Sequence, residues 1–259
     1  MENKKHLVAF LDILGFKKLI DEHYSRKNVK ALPLLKKALK DAELFAIQYS
    51  KRYLKQYKIK FSFKQFSDCV CISMPLTSSL SATESYGIFI NVIRQYQFIL
   101  LDSNILIRGG ISIGGHFENS NIIFSDGLVK SYKLESQNAI YPRILIDKEL
   151  LKYVVDSLIE NSEESKMFYQ FYGTSLIKDW DDQVFVSPFG FIRNLQKIAI
   201  EFGKNVVGDV LSDFSSANKL EKEFSSNVVS KITEDPNFER NIITDILYKT
   251  PQLARASRS

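Results

Sequence analysis

Two kinds of hydrophobic periodicity alternate along the first 160 residues of the chain. Apolar runs at 6–11 and 105–113 and an alternating stretch at 59–66 predict β-strands. Apolar residues spaced by three and four over 29–57 and 83–101 predict amphipathic helices. Strands and helices in this order are typical of an α+β domain with a mainly antiparallel sheet flanked by helices.

The pattern changes after residue 160, which predicts two parts. Residues 1–160 carry the regular succession of strands and helices and form the main domain. Residues 161–259 predict a late hairpin at 177–188 and a helical extension over 191–247. Because no repeat or low-complexity linker separates the parts, we expect the second to pack on the first.

Composition narrows the class of protein without deciding its function. The 259 residues are 45% hydrophobic and 25% charged, as in ordinary folded proteins. No stretch reaches the roughly 18 apolar residues of a membrane span, and the start MENKKH lacks the apolar core of a signal peptide. We therefore expect a cytoplasmic protein without membrane contact. A net charge of +5 suits a polyanionic small substrate, and it does not by itself indicate nucleic acid, which we do not expect as a partner.

The cysteine and histidine counts argue against a disulfide framework or a zinc site. Cys69 and Cys71 are the two cysteines, and the chain has three histidines. Separated by one residue, the two thiols would share one face of a strand, and we expect both to be buried.

Two carboxylates stand where predicted strands end. Asp12 follows an apolar run, and Asp68 lies at the bend between two strands. Neighbouring strands can bring such acids together, and carboxylate oxygens are the hard ligands that Mg²⁺ or Mn²⁺ prefers. Taken singly, each acid also fits a helix cap or a hairpin turn.

A glycine follows Asp12 at the start of the first predicted helix. Gly15 allows a tight turn, and the free N–H groups of the helix start, from Phe16 onward, would face an anion. Metal-binding carboxylates beside an anion cradle indicate a polyphosphate ligand.

Four motifs resemble, in order and approximate spacing, the catalytic domain of class III nucleotidyl cyclases. They are FLDILGF at 10–16, FSD at 66–68, RGGISIG at 108–114 and GLVKSYKLE at 127–135. The resemblance covers about residues 5–150 and implies the mainly antiparallel cyclase fold.

The resemblance also implies roles for particular residues. Asp12 would bind two Mn²⁺ or Mg²⁺ ions, Ile13 would bind one through its carbonyl, and Asp68 would be the second acidic ligand. Arg108 occupies the position of the arginine that binds the triphosphate. The family places each site between two catalytic domains, so the resemblance implies a head-to-tail homodimer with composite sites.

The helix after the fourth motif departs from the family. Most adenylate and guanylate cyclases carry Asn-x-x-x-Arg there, for the ribose and the transition state. Here the helix is about two residues shorter, and Lys133 takes the position of the arginine. Lys130, Lys133 and Arg143 are the candidates for transition-state stabilisation, and for each an ordinary surface lysine or strand arginine is an equally good interpretation.

The base-selecting positions depart as well. Lys64, four residues before Asp68, matches the adenine-reading lysine, but Phe124 replaces its acidic partner. A lysine without that acid reads adenine poorly, and an aromatic side chain narrows the pocket, which favours a smaller base.

This combination is similar to the bacterial pyrimidine cyclases of the Pycsar antiphage system. The shortened helix, the strand PRI at 142–144 and the hairpin DWDD at 179–182 carry the similarity. It implies that UTP or CTP is converted to 3′,5′-cyclic UMP or CMP plus pyrophosphate, and that the product activates a separate effector protein. The hairpin acids Asp179, Asp181 and Asp182 fit either a metal cluster or a solvated turn.

Other functions are compatible with parts of the pattern. An adenylate or guanylate cyclase would share the metal motifs. A diguanylate cyclase has a similar first strand, but its Gly-Gly-Asp-Glu-Phe hairpin is absent from this sequence. A non-catalytic nucleotide sensor on a decayed cyclase domain, or a protein-interaction module, would explain the missing Asn-x-x-x-Arg.

Overall fold

Strands and helices alternate in the computed structural model, which describes residues 4–158, 176–179 and 181–187. The helical extension predicted over 191–247 lies outside these residues. In chain order the elements are β1 (Lys5–Ile13), α1 (Phe16–Tyr24), α2 (Ala31–Tyr57), β2 (Ser62–Phe66), β3 (Cys69–Pro75), α3 (Ala82–Asp102), β4 (Ile107–Glu118), β5 (Ile123–Ser125), α4 (Asp126–Asn138), β6 (Ile144–Ile146), α5 (Lys148–Leu158), β7 (Leu176–Lys178) and β8 (Val184–Val186).

These strands form one mainly antiparallel sheet in the order β2-β3-β1-β4-β6-β8-β7, with β5 paired to β4. Only the pairing of β4 with β6 is parallel among the described strands. The α+β class predicted from the periodicity is confirmed. The late hairpin β7–β8 joins the same sheet because β8 pairs with β6. Within the described residues, no helix has the length and apolar content needed to cross a bilayer.

Strand β1 is central, and its two faces have different neighbours. Leu7 and Leu11 point into the main core, which they share with α2 and α3. Phe10 lies on the opposite face, where its ring meets Tyr132 of α4 edge-on at 5.3 Å. Since side chains alternate along a strand, Asp12 falls on the face that α4 covers. This alternation decides which helix can contribute groups near Asp12.

Helix α4 approaches the sheet closely because β4 carries glycine at the contact. A Cβ on Gly110 would lie 2.4 Å from the carbonyl oxygen of Ser131. Two buried hydroxyls then hold the helix in place: Ser112 Oγ donates to the Gly127 carbonyl at 2.7 Å, and Ser131 Oγ donates to the Val8 carbonyl at 2.8 Å. Each buried polar group is thereby satisfied, which keeps the interface specific.

The substitution Gly110→Ala should lower the free energy of unfolding by about 2 kcal/mol, because the added methyl group meets helix backbone that cannot move aside freely. Urea denaturation of the variant would measure the loss, with Ser120→Ala in an exposed turn as the control. An unchanged midpoint for Gly110→Ala would mean that α4 does not pack as the structure has it.

Candidate active site

The end of β1 brings two acids from distant parts of the sequence together. Asp12 is opposite Cys69 of β3 on one side and Arg108 of β4 on the other. Asp68 sits in the tight turn between β2 and β3, and its carbonyl accepts a hydrogen bond from the Ile13 N–H at 2.9 Å. Ligand atoms of Asp12, Asp68 and Cys69 all lie within 4.8 Å of one another. Sheet register therefore builds the cluster that the strand-end acids predict.

The tight turn depends on the residue before Asp68. Ser67 has a φ of 55°, in the left-handed region, which lets β2 and β3 connect through two residues. The turn is fixed in this way and is hydrogen-bonded to Ile13. Asp68 is therefore held at the ends of strands β2 and β3, next to Asp12.

Arg108 is held between two carboxylates. Its Nε donates to Asp12 Oδ2 at 3.1 Å and lies 2.5 Å from Glu135 Oε1. Glu135 belongs to α4 and is only 3% exposed. The sequence prediction missed Glu135 as a site residue. The only indication of Glu135 in the sequence is the Leu-Glu pair that ends the fourth motif. The neighbouring residues do not indicate that this helix glutamate is buried against an arginine of a strand.

Burial and mutual repulsion shift the protonation of this cluster. Burial raises the pKa of Asp12, Arg108 lowers it again, and the neighbouring Asp68 adds to the rise. The pKa of Glu135 rises to about 7, with burial as the main cause, Arg108 opposing and Asp12 adding. Asp12 and Glu135 thus share the guanidinium of Arg108, and Asp68 adds a third carboxyl group beside Asp12, so the cluster can accept further positive charge.

The two cysteines differ in burial, and only one of them is buried as the sequence predicts. Cys71 is buried as predicted, with 1% of its surface exposed, whereas Cys69 is only half-buried. The Cys69 thiol donates weakly to Asp68 Oδ1 at 3.5 Å and to Asp12 Oδ1 at 4.0 Å. Burial raises the pKa of this thiol to about 12, and the two carboxylates contribute, so it faces the acids as a neutral donor.

The predicted anion cradle has the expected backbone. Gly15 adopts φ 75° and ψ 15°, which favours glycine, and it precedes α1 without any side-chain cap on the helix start. The ring of Phe16 packs against the core, so Phe16 can serve a ligand only through its N–H group. The start of α1 is therefore open to an anion directly after Asp12.

Arg143, one of the three candidates for the transition-state role, has side-chain partners other than Asp12 and Asp68. Its guanidinium is buried and bonded to the carboxylates of Asp179 and Asp181 and, at 3.0 Å, to the Asn138 carbonyl. It therefore fastens the β7–β8 hairpin to the start of β6. These bonds also account for two of the hairpin acids that fitted a metal cluster, and Asp182 pairs with Lys178 at 2.7 Å.

The remaining candidates lie on α4, β5 and β2. Lys130 Nζ lies 2.8 Å from Glu149 Oε2 of α5, so its charge is already partnered. Lys133 and Phe124 are exposed, Phe124 by 74%, and in the described part of the chain neither is bonded to the aspartates. Lys64 is half-buried in β2, opposite Cys71. One chain thus brings Asp12 and Asp68 together beside Arg108, and it leaves Lys133 and Phe124 exposed on the surface.

The protonation of Glu135 predicts a pH dependence of stability. Because its pKa is about 7 in the folded protein and about 4.5 when unfolded, the folded state binds more protons between these values, and stability falls as the pH rises through them. In the absence of metal, the free energy of unfolding of Glu135→Gln should therefore fall less over this pH range than that of the wild type, by up to about 3 kcal/mol. Urea unfolding across this pH range in the presence of a chelator measures the change in stability, with Asp156→Asn, which removes an exposed acid of α5, as the control. Parallel wild-type and Glu135→Gln curves would contradict the shift.

Comparisons with known proteins return cyclases among solved structures. No family model and no curated protein matches the sequence. The adenylyl cyclase CyaB from P. aeruginosa is 21% identical with a TM-score of 0.40, over 59% of this chain and 81% of that chain. The guanylyl cyclase Cya2 is 11% identical with a TM-score of 0.33, over 58% and 78%. An adenylate/guanylate cyclase/hydrolase from Silicibacter pomeroyi is 14% identical with a TM-score of 0.33, over 72% and 96%. Similarity at this level does not transfer an activity, so the function depends on the residues of the site.

Proposed function

We propose that this protein is a nucleotidyl cyclase that converts UTP or CTP to the 3′,5′-cyclic monophosphate and pyrophosphate. The observation that carries the proposal is the convergence of Asp12 and Asp68 beside Arg108 at one end of the sheet. A divalent-metal site next to an arginine and an open helix start suits a triphosphate, whose negative charge all three can share.

The donor set fits Mg²⁺ or Mn²⁺. Two carboxylates supply hard oxygen ligands, and the excess of acids over Arg108 favours a cation. Asp12 and Asp68 would hold two ions, with the Ile13 carbonyl as a further ligand by resemblance to the family. When bound, the ions supply Lewis-acid chemistry, lowering the pKa of the ribose 3′-hydroxyl and neutralising the phosphates.

Arg108 is prepared for the triphosphate by the contacts of its Nε. Asp12 and Glu135 fix the plane of the guanidinium, while its terminal nitrogens have no hydrogen bond to a described residue. Paired N–H groups in a fixed plane match two phosphate oxygens better than a lysine would. The N–H groups at Gly15 and Phe16 would bind neighbouring oxygens, so that the chain mainly orients the α-phosphorus for in-line attack and stabilises the charge that develops.

Lys133 is the best candidate for the charge that most cyclases place on an arginine. It is exposed, whereas Lys130 is paired with Glu149 and Arg143 is buried among aspartates. Lys64 and Phe124 would contact the base, and an aromatic side chain in place of an acid favours a pyrimidine.

A head-to-tail homodimer would complete the site. Large apolar side chains are exposed just before β5, in β5 and along α4: Ile122 by 54%, Phe124 by 74%, Val129 by 51% and Tyr132 by 52%. Clustered exposure of this kind is typical of a protein interface. A second copy packed there would bring Phe124 and Lys133 to the partner's metal acids. By resemblance to Pycsar cyclases, the product would act in the cytoplasm on a separate effector protein in antiphage defence.

Incubating the purified protein with Mn²⁺ and each of ATP, GTP, CTP and UTP tests the proposal, with products resolved by chromatography and mass. Cyclic UMP or CMP is the expected product. Cyclic AMP or GMP would instead mean an adenylate or guanylate cyclase, and a cyclic dinucleotide would mean a diguanylate-type enzyme. No product with any nucleotide would contradict the proposal and favour a nucleotide-binding sensor, which the missing Asn-x-x-x-Arg permits although both metal acids are present.

A further inference from the structure

The Cys69 thiol lies inside the acid pair and is chemically unlike it. Cys69 directly follows Asp68 and is opposite Asp12 in the pairing of β1 with β3. Its side chain therefore lies at the same end of the strands as the two acids. We propose that Cys69 is a third ligand of this site for thiophilic ions, so that Zn²⁺ or Cd²⁺ binds through two carboxylates and one thiolate and competes with Mg²⁺ or Mn²⁺. The inference concerns the same metal site as the proposed function and adds a class of ion that it selects.

The distances suit a small tetrahedral ion. Zn–S and Zn–O bonds of about 2.3 and 2.1 Å at tetrahedral angles place neighbouring ligand atoms about 3.5 Å apart. Cys69 Sγ is 3.5 Å from Asp68 Oδ1 and 4.0 Å from Asp12 Oδ1. Shifts of a few tenths of an ångström, within side-chain rotation, close this arrangement without moving the strands.

The charge of the cluster gives an independent reason for a cation. Arg108 faces Asp12 and Glu135, and Asp68 adds a further negative charge. Glu135 is only 3% exposed, and its Oε1 has to share the Nε of Arg108, 2.5 Å away, with Asp12 Oδ2. A divalent ion at Asp12 and Asp68 would offset this surplus of negative charge. Arg108 would then no longer have to neutralise both Asp12 and Glu135.

The identity of the third ligand decides which ion is preferred. Carboxylates alone favour hard ions, whereas a thiolate favours Zn²⁺ and other thiophilic ions. As the metal–sulfur bond forms, the thiol proton passes to solvent and no electrons are transferred. Mg²⁺ gains little from sulfur, so with that ion the thiol stays protonated beside the carboxylates.

The chain contains its own control for this chemistry. Its two cysteines are Cys69 and Cys71, two residues apart on β3 and on the same face. Cys71 is 1% exposed and is opposite Phe10 and Lys64 rather than an acid. A thiolate–metal signal from this protein therefore has two sources, and only one of them adjoins Asp12 and Asp68.

Titration of the full-length protein with Cd²⁺, followed by the ultraviolet thiolate-to-cadmium charge-transfer band, tests the inference. We expect a band in the wild type and in Cys71→Ser, no band in Cys69→Ser, and at least about tenfold weaker Cd²⁺ binding in Asp12→Asn, since even changes outside the ligand shell cost 10–100-fold. Circular dichroism checks that each variant is folded.

A band that survives in Cys69→Ser, or no band in a wild type with both thiols reduced, would overturn the inference. The result is separate from the cyclase assay. Turnover with Mn²⁺ but no band refutes only the third ligand, whereas a band without turnover of any nucleotide refutes only the proposed function.

Discussion

Asp12→Asn and Asp68→Asn should each lower turnover of the preferred nucleotide with Mn²⁺ by at least about a hundredfold, or about 2.7 kcal/mol of transition-state stabilisation. Each change removes the charge of a proposed metal ligand while keeping the size of the side chain. At position 12 the amide oxygen still accepts a hydrogen bond from Arg108, so we expect the fold to be retained. Steady-state kinetics at saturating Mn²⁺ measures the loss.

Asp156→Asn is the matched control for both changes. Asp156 is an exposed acid on α5, away from the end of β1, and its replacement should leave turnover unchanged. Thermal unfolding of all three variants shows whether lost activity reflects lost structure. Near wild-type turnover in folded Asp12→Asn or Asp68→Asn would contradict the metal assignment.

Arg143→Ala should lower the free energy of unfolding by about 3 kcal/mol, because it leaves Asp179 and Asp181 facing each other without their shared cation. The lower end of the range for buried pairs applies because both aspartates remain partly exposed, at 25% and 21%. Urea denaturation measures the change. Under conditions where the variant is folded, its kcat should match that of the wild type.

Lys178→Ala is the control within the same hairpin. Its ion pair with Asp182 is exposed at both ends, by 67% and 80%, so its loss should cost less than about 0.5 kcal/mol. Should Arg143→Ala lose turnover while keeping its stability, the arginine would be catalytic and the structural role assigned to it would be wrong.

The fold class follows from local pattern, but the site depends on pairing that no local pattern contains. Periodicity indicates β1 as a strand and places Asp12 at its end. It does not reveal that β1 lies between β3 and β4, or that Asp12 is opposite both Cys69 and Arg108. A register shift of one residue would turn Asp12 to the other face of the sheet. The positions of the two acids at strand ends, together with the resemblance, predict that they meet, and the pairing supplies the geometry.

Residues whose environment comes from distant partners were the least predictable. In the sequence, Arg143 has no partner nearby and looks like an ordinary strand arginine. In the structure its guanidinium is bonded to Asp179 and Asp181, which are 36 and 38 residues away along the chain. Glu135 reads as an ordinary helix glutamate, because its burial results from the close approach of α4 that Gly110 permits. Cys69 resembles Cys71 in sequence, and only the bend at Asp68 gives it a different environment. Burial and partner identity are properties of the assembled sheet.

Diffraction from crystals grown with Mn²⁺ and a non-cyclisable UTP analogue, recorded for manganese anomalous scattering, would show whether Asp12 and Asp68 together hold the metal. We predict anomalous peaks for manganese within bonding distance of carboxylate oxygens of both Asp12 and Asp68. We also predict that the guanidinium of Arg108 donates hydrogen bonds to the triphosphate. Manganese bound elsewhere, with these two carboxylates turned apart or joined only to Arg108, would show that they are not the metal ligands.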